Sequence, residues 1–203
     1  MKLRIERRPL LRALRWSQRL LAAAAVLILG YCVVVLVEGW TFQRLERRHL
    51  QQLLRDRHVM NAPVASIHAP PALTAGLVGL LDVPRLGLSV IVIEGVEQRV
   101  LRRAAGHMPG TALPGNPGNV GISAHRDTFF RPLRNVRMND LVTLTTPLAE
   151  YRYRVVSTRI VDPADVSVLD ATSREILTLV TCYPFYFVGP APSRFIVRAE
   201  RVR

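Results

Sequence analysis

Three residues of types that do nucleophilic chemistry stand at the ends of short apolar runs. Cys182 closes "TLVTC" (178–182), His125 closes "NVGISAH" (119–125), and Arg194 opens "RFIVRAERV" (194–202) twelve residues after the cysteine. A thiol that attacks a carbonyl needs an acid/base partner and something to stabilise the developing oxyanion. An imidazole supplies the first, and a guanidinium, always charged and fork-shaped, supplies the second. The residues alone leave other readings open. The other cysteine, Cys32, lies in an apolar span, so Cys182 has no partner of its own compartment. It is then a reactive thiol, a buried small hydrophobe or half of an intermolecular disulfide. An arginine at the head of a strand is, by itself, more often a solvated surface residue.

The choice of histidine follows from position. His49, His58 and His68 fall in an N-terminal helical and proline-containing stretch, leaving His107 in a Gly/Pro-rich loop and His125 at a strand end. A strand end aims a side chain better than a loop does. His125 is therefore the acid/base candidate.

The elements that must bring these residues together are mostly short strands. "LVGLLDVPRLGLSVIVIEG" (77–95) suggests two, and "DLVTLTT", "EYRYRVVSTRIV", "ILTLVTC", "NVGISAH" and "RFIVRAERV" supply five more, with β-branched or alternating content. "VEQRVLRRAAGH" (96–107) suggests a short helix. Seven closely spaced strands predict a mostly β domain, a closed or nearly closed barrel, over residues 76–203. Residues 38–75 predict a polar stalk helix from Trp40 that gives way to a linker at 58–75 with Pro63, Pro70 and Pro71.

Residues 20–37 carry no charge, and at about 1.5 Å per residue they reach about 27 Å, close to the thickness of a hydrocarbon core. Residues 1–19 hold seven basic residues against Glu6, whereas residues 38–57 hold five arginines against three acids. The bias predicts a single-pass helix with a cytoplasmic N-terminal tail and everything after residue 38 outside. A cleaved signal peptide is the competing reading, but its apolar region is shorter and no small-x-small site follows Val37. The net charge of +13 is concentrated before residue 76, and no cluster of arginines interleaved with aromatics follows, which argues against nucleic acid as a partner. Lys2 is the only lysine among 28 basic residues, so nothing after residue 38 offers an amine side chain.

The motifs resemble those of the sortases, the membrane-anchored cysteine transpeptidases of bacteria. "TLVTC" is similar to the family's TLxTC motif, "SAHRD" (123–127) to its histidine segment and "PSRFIVRA" (192–199) to its arginine strand. "PGNPGNVGISAHRDTFFRPL" (114–133) and "CYPF" (182–185) look most like the class D branch, with Ala124 where many members have glycine. The resemblance covers residues 76–203 and implies an eight-stranded sortase barrel, one strand more than the seven read from the pattern. It implies that Cys182 attacks the bond after Thr in an LPxTG-like C-terminal sorting signal. A thioacyl enzyme forms, and an amine of peptidoglycan or of a pilin lysine resolves it. His125 is then the general acid/base, Arg194 the holder of substrate or oxyanion, and Thr181 a contributor beside the thiol. Tyr183 and Phe185, in the aromatic run after Cys182, would wall the groove for the signal's apolar part or else pack the barrel end.

No His/Cys/Asp/Glu cluster has ligand spacing, so neither a metal nor a cofactor is expected. Two rival functions remain. An extracytoplasmic Cys-His transpeptidase of another family predicts glycine beside the thiol, where this chain has Thr181 and Tyr183. A non-catalytic anchored barrel predicts a thiol inert towards alkylation.

Overall fold

The computed structural model describes residues 7–60 and 76–202, which divide into two units, Met1–Thr41 and Phe42–Arg203. A single helix, α1 (Arg7–Met60), runs through the first and into the second. Its alanines and leucines favour the helix. The apolar side chains from Leu20 to Val37 are exposed, and among the described residues this is the one helix long and apolar enough to cross a membrane. Most of the expected linker, residues 61–75, lies outside the described residues.

The second unit is a closed barrel of eight strands in the order β1-β2-β3-β4-β7-β8-β6-β5. These are β1 (Leu77–Val83), β2 (Leu88–Glu94), β3 (Ala105–His107), β4 (Asn119–Ser123), β5 (Leu141–Thr145), β6 (Glu150–Val161), β7 (Ile176–Tyr183) and β8 (Ser193–Arg201). The strand beyond the seven is β3, only three residues long, and it lies between β2 and β4. The helix expected across 96–107 shrinks to α2 (Gln98–Leu101). β3 pairs parallel to β2, and β4 pairs parallel to β7; the remaining contacts are antiparallel.

The shortness of β3 explains the course of α1 after Thr41. Because β3 begins opposite Val92, the earlier part of β2 has no strand on that edge. Gln43 closes it: its side-chain oxygen accepts from the Ile91 N–H at 3.0 Å while its amide donates to the Arg103 carbonyl at 2.7 Å. Arg47 donates to the Ser89 carbonyl at 2.6 Å. Backbone groups that water cannot reach need such partners. Beside these bonds Leu50, 2% exposed, packs with Phe42 and Leu54 against Leu77, Ile91 and Val100. The stretch read as a stalk is thus, from Phe42 to Leu54, a covering for the barrel wall.

Two apolar clusters separate the faces of the sheet at the other side of the barrel. The interior holds Val120, Ile122, Leu177, Leu179, Val197 and Ala199, among others. The outer face of β7 and β8 holds Val180 and Ile196, covered by Val161, Val168, Met108 and Leu169. Val168 and Leu169 belong to a 3-10 turn (Val166–Leu169) in the β6–β7 connection. Burial on both faces is why β7 is rich in apolar and β-branched residues.

In the connection that follows His125, a charge pair fixes the chain. Arg85 forks onto both carboxylate oxygens of Asp140 and donates to the Asn135 carbonyl at 2.7 Å, while the Arg137 N–H donates to Asp140 at 2.8 Å. These bonds, the Arg85 guanidinium first, hold the Asp140 carboxyl below its usual range. They tie the 3-10 turn Arg131–Asn135 to β5 and to the turn after β1.

Two outcomes follow. Leu50→Ala should destabilise the barrel unit by about 2–5 kcal/mol, the range for truncating a buried leucine, read as a lowered thermal midpoint. Asp140→Asn should be less stable than the parent at pH 7. A depressed carboxyl stabilises above its unfolded pKa and loses that contribution as pH falls through the folded one. The urea midpoints of the two proteins should therefore converge below about pH 4.

Candidate active site

β7 is the element on which the site is built, because it is bonded on both edges. On one edge it runs antiparallel to β8 with Cys182 directly opposite Arg194, Thr181 opposite Phe195 and Tyr183 opposite Ser193. On the other it runs parallel to β4 through the pair Ser123 and Val180, and the Ala124 N–H extends the ladder to the Val180 carbonyl at 3.3 Å. The Thr181 hydroxyl donates to the Ala124 carbonyl at 2.8 Å in a buried bond. The residue before His125 is thereby fastened to the residue before Cys182.

Alternation decides which side chains share a face. On β7, Leu177 and Leu179 point into the barrel and Val180 outward, so Thr181 faces in and Cys182 out. On β8, Val197 and Ala199 face in and Ile196 out, which puts Arg194 outward. On β4, Val120 and Ile122 face in, as does Ala124 just past the strand's end, and His125 follows it outside the ladder. The structure therefore sets Cys182 and Arg194 side by side at one end of one face, and the Thr181–Ala124 bond holds the residue before His125 at that end. Val180 and Ile196, covered by Val161, Val168, Met108 and Leu169, make a closed apolar cluster next to Cys182 and Arg194 on the same face. Gly121 lies on the same face, where an added Cβ would stand 3.0 Å from Thr111 and 3.1 Å from Leu169, so these walls close over the strand.

Cys182 is a free thiol, and Cys182, His125 and Arg194 are each partly exposed. Arg194 donates from one terminal nitrogen to the carbonyls of Ser193 at 3.1 Å and Ala191 at 3.4 Å, and among the described residues no carboxylate pairs with it. Its charge is held in place by backbone carbonyls with no carboxylate partner among the described residues.

The other expected residues fall differently. Thr181 is 2% exposed and its hydroxyl is committed to Ala124, so it positions the strands. Tyr183 stacks on Phe195 with centroids 6.3 Å apart, and Phe185 meets Phe195 edge-on at 5.4 Å. Phe185 and Phe195 pack against the interior cluster, which is the barrel-end arrangement. His107 ends β3, not a loop. It is 2% exposed, with Nδ1 2.7 Å from Glu94 and Nε2 near the Ala112 carbonyl and the Thr111 hydroxyl, so it serves as an internal strut.

Sequence reasoning passed over Arg126. Its guanidinium donates to three carbonyls of the β7–β8 connection, those of Pro184 (2.9 Å), Phe187 (2.8 Å) and Gly189 (3.0 Å). The available signal was its place in "SAHRD", beside the histidine.

A cavity of about 560 Å³ lies elsewhere, at the opposite end of β7 and β8, lined by Arg174, Glu175, Ile176, Glu200 and Arg201. Its central charges are already engaged. Glu175 accepts from the Tyr153 hydroxyl and, at 3.0 Å, from the Gly115 N–H, and lies 3.4 Å from Arg201. Burial, with Glu175 beside it, pushes the Tyr153 hydroxyl's pKa up, so it stays a neutral donor. Among the described residues no group of three or more His, Cys, Asp or Glu side chains is placed to hold a metal.

With this geometry in view, comparison with known proteins is specific. Residues 81–202 match the sortase domain family. Over 125 residues the chain is 35% identical to Sortase D of Bacillus subtilis (strain 168), covering 61% of this chain and 63% of that protein, less than two thirds of the relative's length. Among solved structures, a Clostridium perfringens Sortase D5 transpeptidase is similar at 27% identity and a TM-score of 0.57, over 63% of this chain and 79% of that one. Listeria monocytogenes sortase A is similar at 28% identity and a TM-score of 0.58, over 63% and 88%. The matched span contains the eight-stranded barrel from within β1 onward, together with Cys182, His125 and Arg194, and the chain belongs to the sortase family.

Proposed function

We propose that this chain is a membrane-anchored cysteine transpeptidase that cleaves an LPxTG-like C-terminal sorting signal after Thr and passes the acyl group to an amine. The observation that carries the reading is the register that sets Cys182 opposite Arg194 on β7 and β8, with the Thr181–Ala124 bond drawing the His125 segment to the same end. Class D character is supported by the likeness to Sortase D.

The chemistry runs in two halves. With the thiol proton taken up by His125, the Cys182 sulfur attacks the threonine carbonyl. Negative charge gathers on the carbonyl oxygen, where the Arg194 guanidinium stabilises it. The C–N bond then breaks, and His125 returns a proton to the departing amine, leaving a thioester. An incoming amine attacks the thioester and gives up a proton to His125, and the sulfur departs. A thioester conserves acyl reactivity, and the apolar cluster of Val180, Ile196, Met108 and Leu169 on that face would disfavour water in competition with the amine. Leu-Pro of the signal would lie against that cluster. Tyr183 and Phe185 would act indirectly, by packing the barrel end beneath it. The helix through residues 20–37 would anchor the enzyme with its N-terminus in the cytoplasm and the barrel outside, where signal-bearing proteins and either peptidoglycan amines or pilin lysines are met.

Two experiments test this. An LPxTG-like peptide should be cleaved slowly in water and faster with hydroxylamine, which captures the thioester as a hydroxamate on the threonine carboxyl. Cys182→Ala and His125→Ala should abolish hydroxamate formation with the fold intact. Arg194→Lys should lose about 100-fold or more, since an ammonium lacks the planar fork. Cleavage with no hydroxamate would overturn the covalent route. For orientation, protease added outside spheroplasts should release the barrel by cutting between residues 58 and 75; protection of the barrel would reverse the assignment.

A further inference from the structure

Arg126 follows His125 directly, yet its side chain serves the far side of the site. The β7–β8 connection starts two residues after Cys182 and runs to Ser193, next to Arg194. Apolar burial does not hold its tip: Tyr186, Phe187 and Val188 are 75%, 46% and 96% exposed. What holds it is the Arg126 guanidinium, hydrogen-bonded to the carbonyls of residues 184, 187 and 189 and 5.8 Å from the Phe187 ring. The tip is also tied by the Phe187 N–H to the Pro184 carbonyl at 3.4 Å and by Arg134, which donates to the Tyr186 hydroxyl at 2.7 Å and lies 5.5 Å from that ring.

The three bonds close a circuit through the site. From Cys182 the chain passes into the connection, crosses the guanidinium to Arg126, and returns through the peptide bond to His125. The Thr181–Ala124 bond crosses the same gap on the barrel side. His125 itself lies two residues beyond the end of β4, outside the ladder that fixes Ser123. Of the two fasteners, the threonine fixes the residue before His125, and the guanidinium fixes the residue after it.

We propose that Arg126 is a positioning residue, whose guanidinium clamps the β7–β8 connection to the His125 segment and so holds the imidazole and Arg194 at the distances from Cys182 that turnover needs. A planar fork with five donors can satisfy three carbonyls at once, whereas an ammonium on a flexible stem holds them without fixed geometry. The clamp rests on the reading of Cys182 and His125 as the reacting pair, and its test separates the two.

The full chain in nanodiscs, carrying Cys32→Ser so that Cys182 is the one thiol, is compared with Arg126→Ala, Arg126→Lys and Cys182→Ala. Peptide turnover, amide hydrogen exchange and thermal midpoint are measured on each. Arg126→Ala should lower kcat by about 100-fold, the scale on which a displacement near 1 Å acts. KM should stay within about threefold, as when an interaction made only on the way to the transition state is lost. Exchange should quicken at residues 186–190 while β4 and β7 keep their protection. Arg126→Lys should fall between the parent and Arg126→Ala, and it carries the same comparison if the alanine variant does not fold. Wild-type kcat in both Arg126 variants, with Cys182→Ala inactive, overturns the clamp and leaves the thiol mechanism standing. A loss confined to KM assigns Arg126 to substrate docking and also overturns it. Turnover that survives Cys182→Ala removes the reacting pair itself, and the clamp's purpose with it.

Discussion

The two-edged pairing of β7 is the constraint from which the site follows. Bonded parallel to β4 and antiparallel to β8, the strand cannot shift without breaking two ladders, and its side chains alternate between a filled interior and a covered outer face. A slip of one residue would turn Cys182 into the barrel and Thr181 onto the outside. It would also part Cys182 from Arg194 and leave the Thr181 hydroxyl without the Ala124 carbonyl. Leu177 and Leu179 on one face and Val180 on the other make that slip costly, because each is buried where it stands. Reactive placement is thus enforced by apolar packing several residues away from the thiol.

Much of this was legible because residue type and function coincide. Cysteine, histidine and arginine at three strand ends are unusual enough to stand out, and β-branched runs marked the strands that carry them. The parts that stayed hidden share a physical reason. β3 has three residues, alanine, glycine and histidine, too few to show alternation, and it exists through pairing on both edges. Gln43 looked like any polar residue of a stalk, since nothing local says that a sheet edge ends at Ile91. Tyr183 and Phe185 sit beside the thiol in sequence, but alternation and the ring of Phe195 turn Tyr183 to the other side of the sheet. Arg126 donates to carbonyls, which every residue has, so its role leaves no mark on its partners' identities.

The two charged networks outside the site show the same economy of purpose. Asp140 and Arg85 secure the turn that follows the histidine segment, and Glu175 with Arg201 and Tyr153 secures the far ends of β6, β7 and β8. In each, a carboxylate of low exposure accepts from more than one donor, the condition under which burying charge is tolerable. The site, by contrast, keeps Arg194 free of any carboxylate among the described residues. Charge is neutralised where shape matters and left open where chemistry does.

The order of strands also fixes a sequence in time. β8 lies between β6 and β7, so until it is in place both neighbours present a bare edge, and the edge of β7 is the one that ends in Cys182. A chain emerging from its N-terminus onward completes β4, β6 and β7 before the strand that carries Arg194 and closes the barrel, with twelve residues from Cys182 to Arg194. The nascent protein therefore passes through a stage with exposed sticky edges on β6 and β7. Insertion of β8 ends the hazard of edge-to-edge aggregation and sets Arg194 opposite Cys182 in one event.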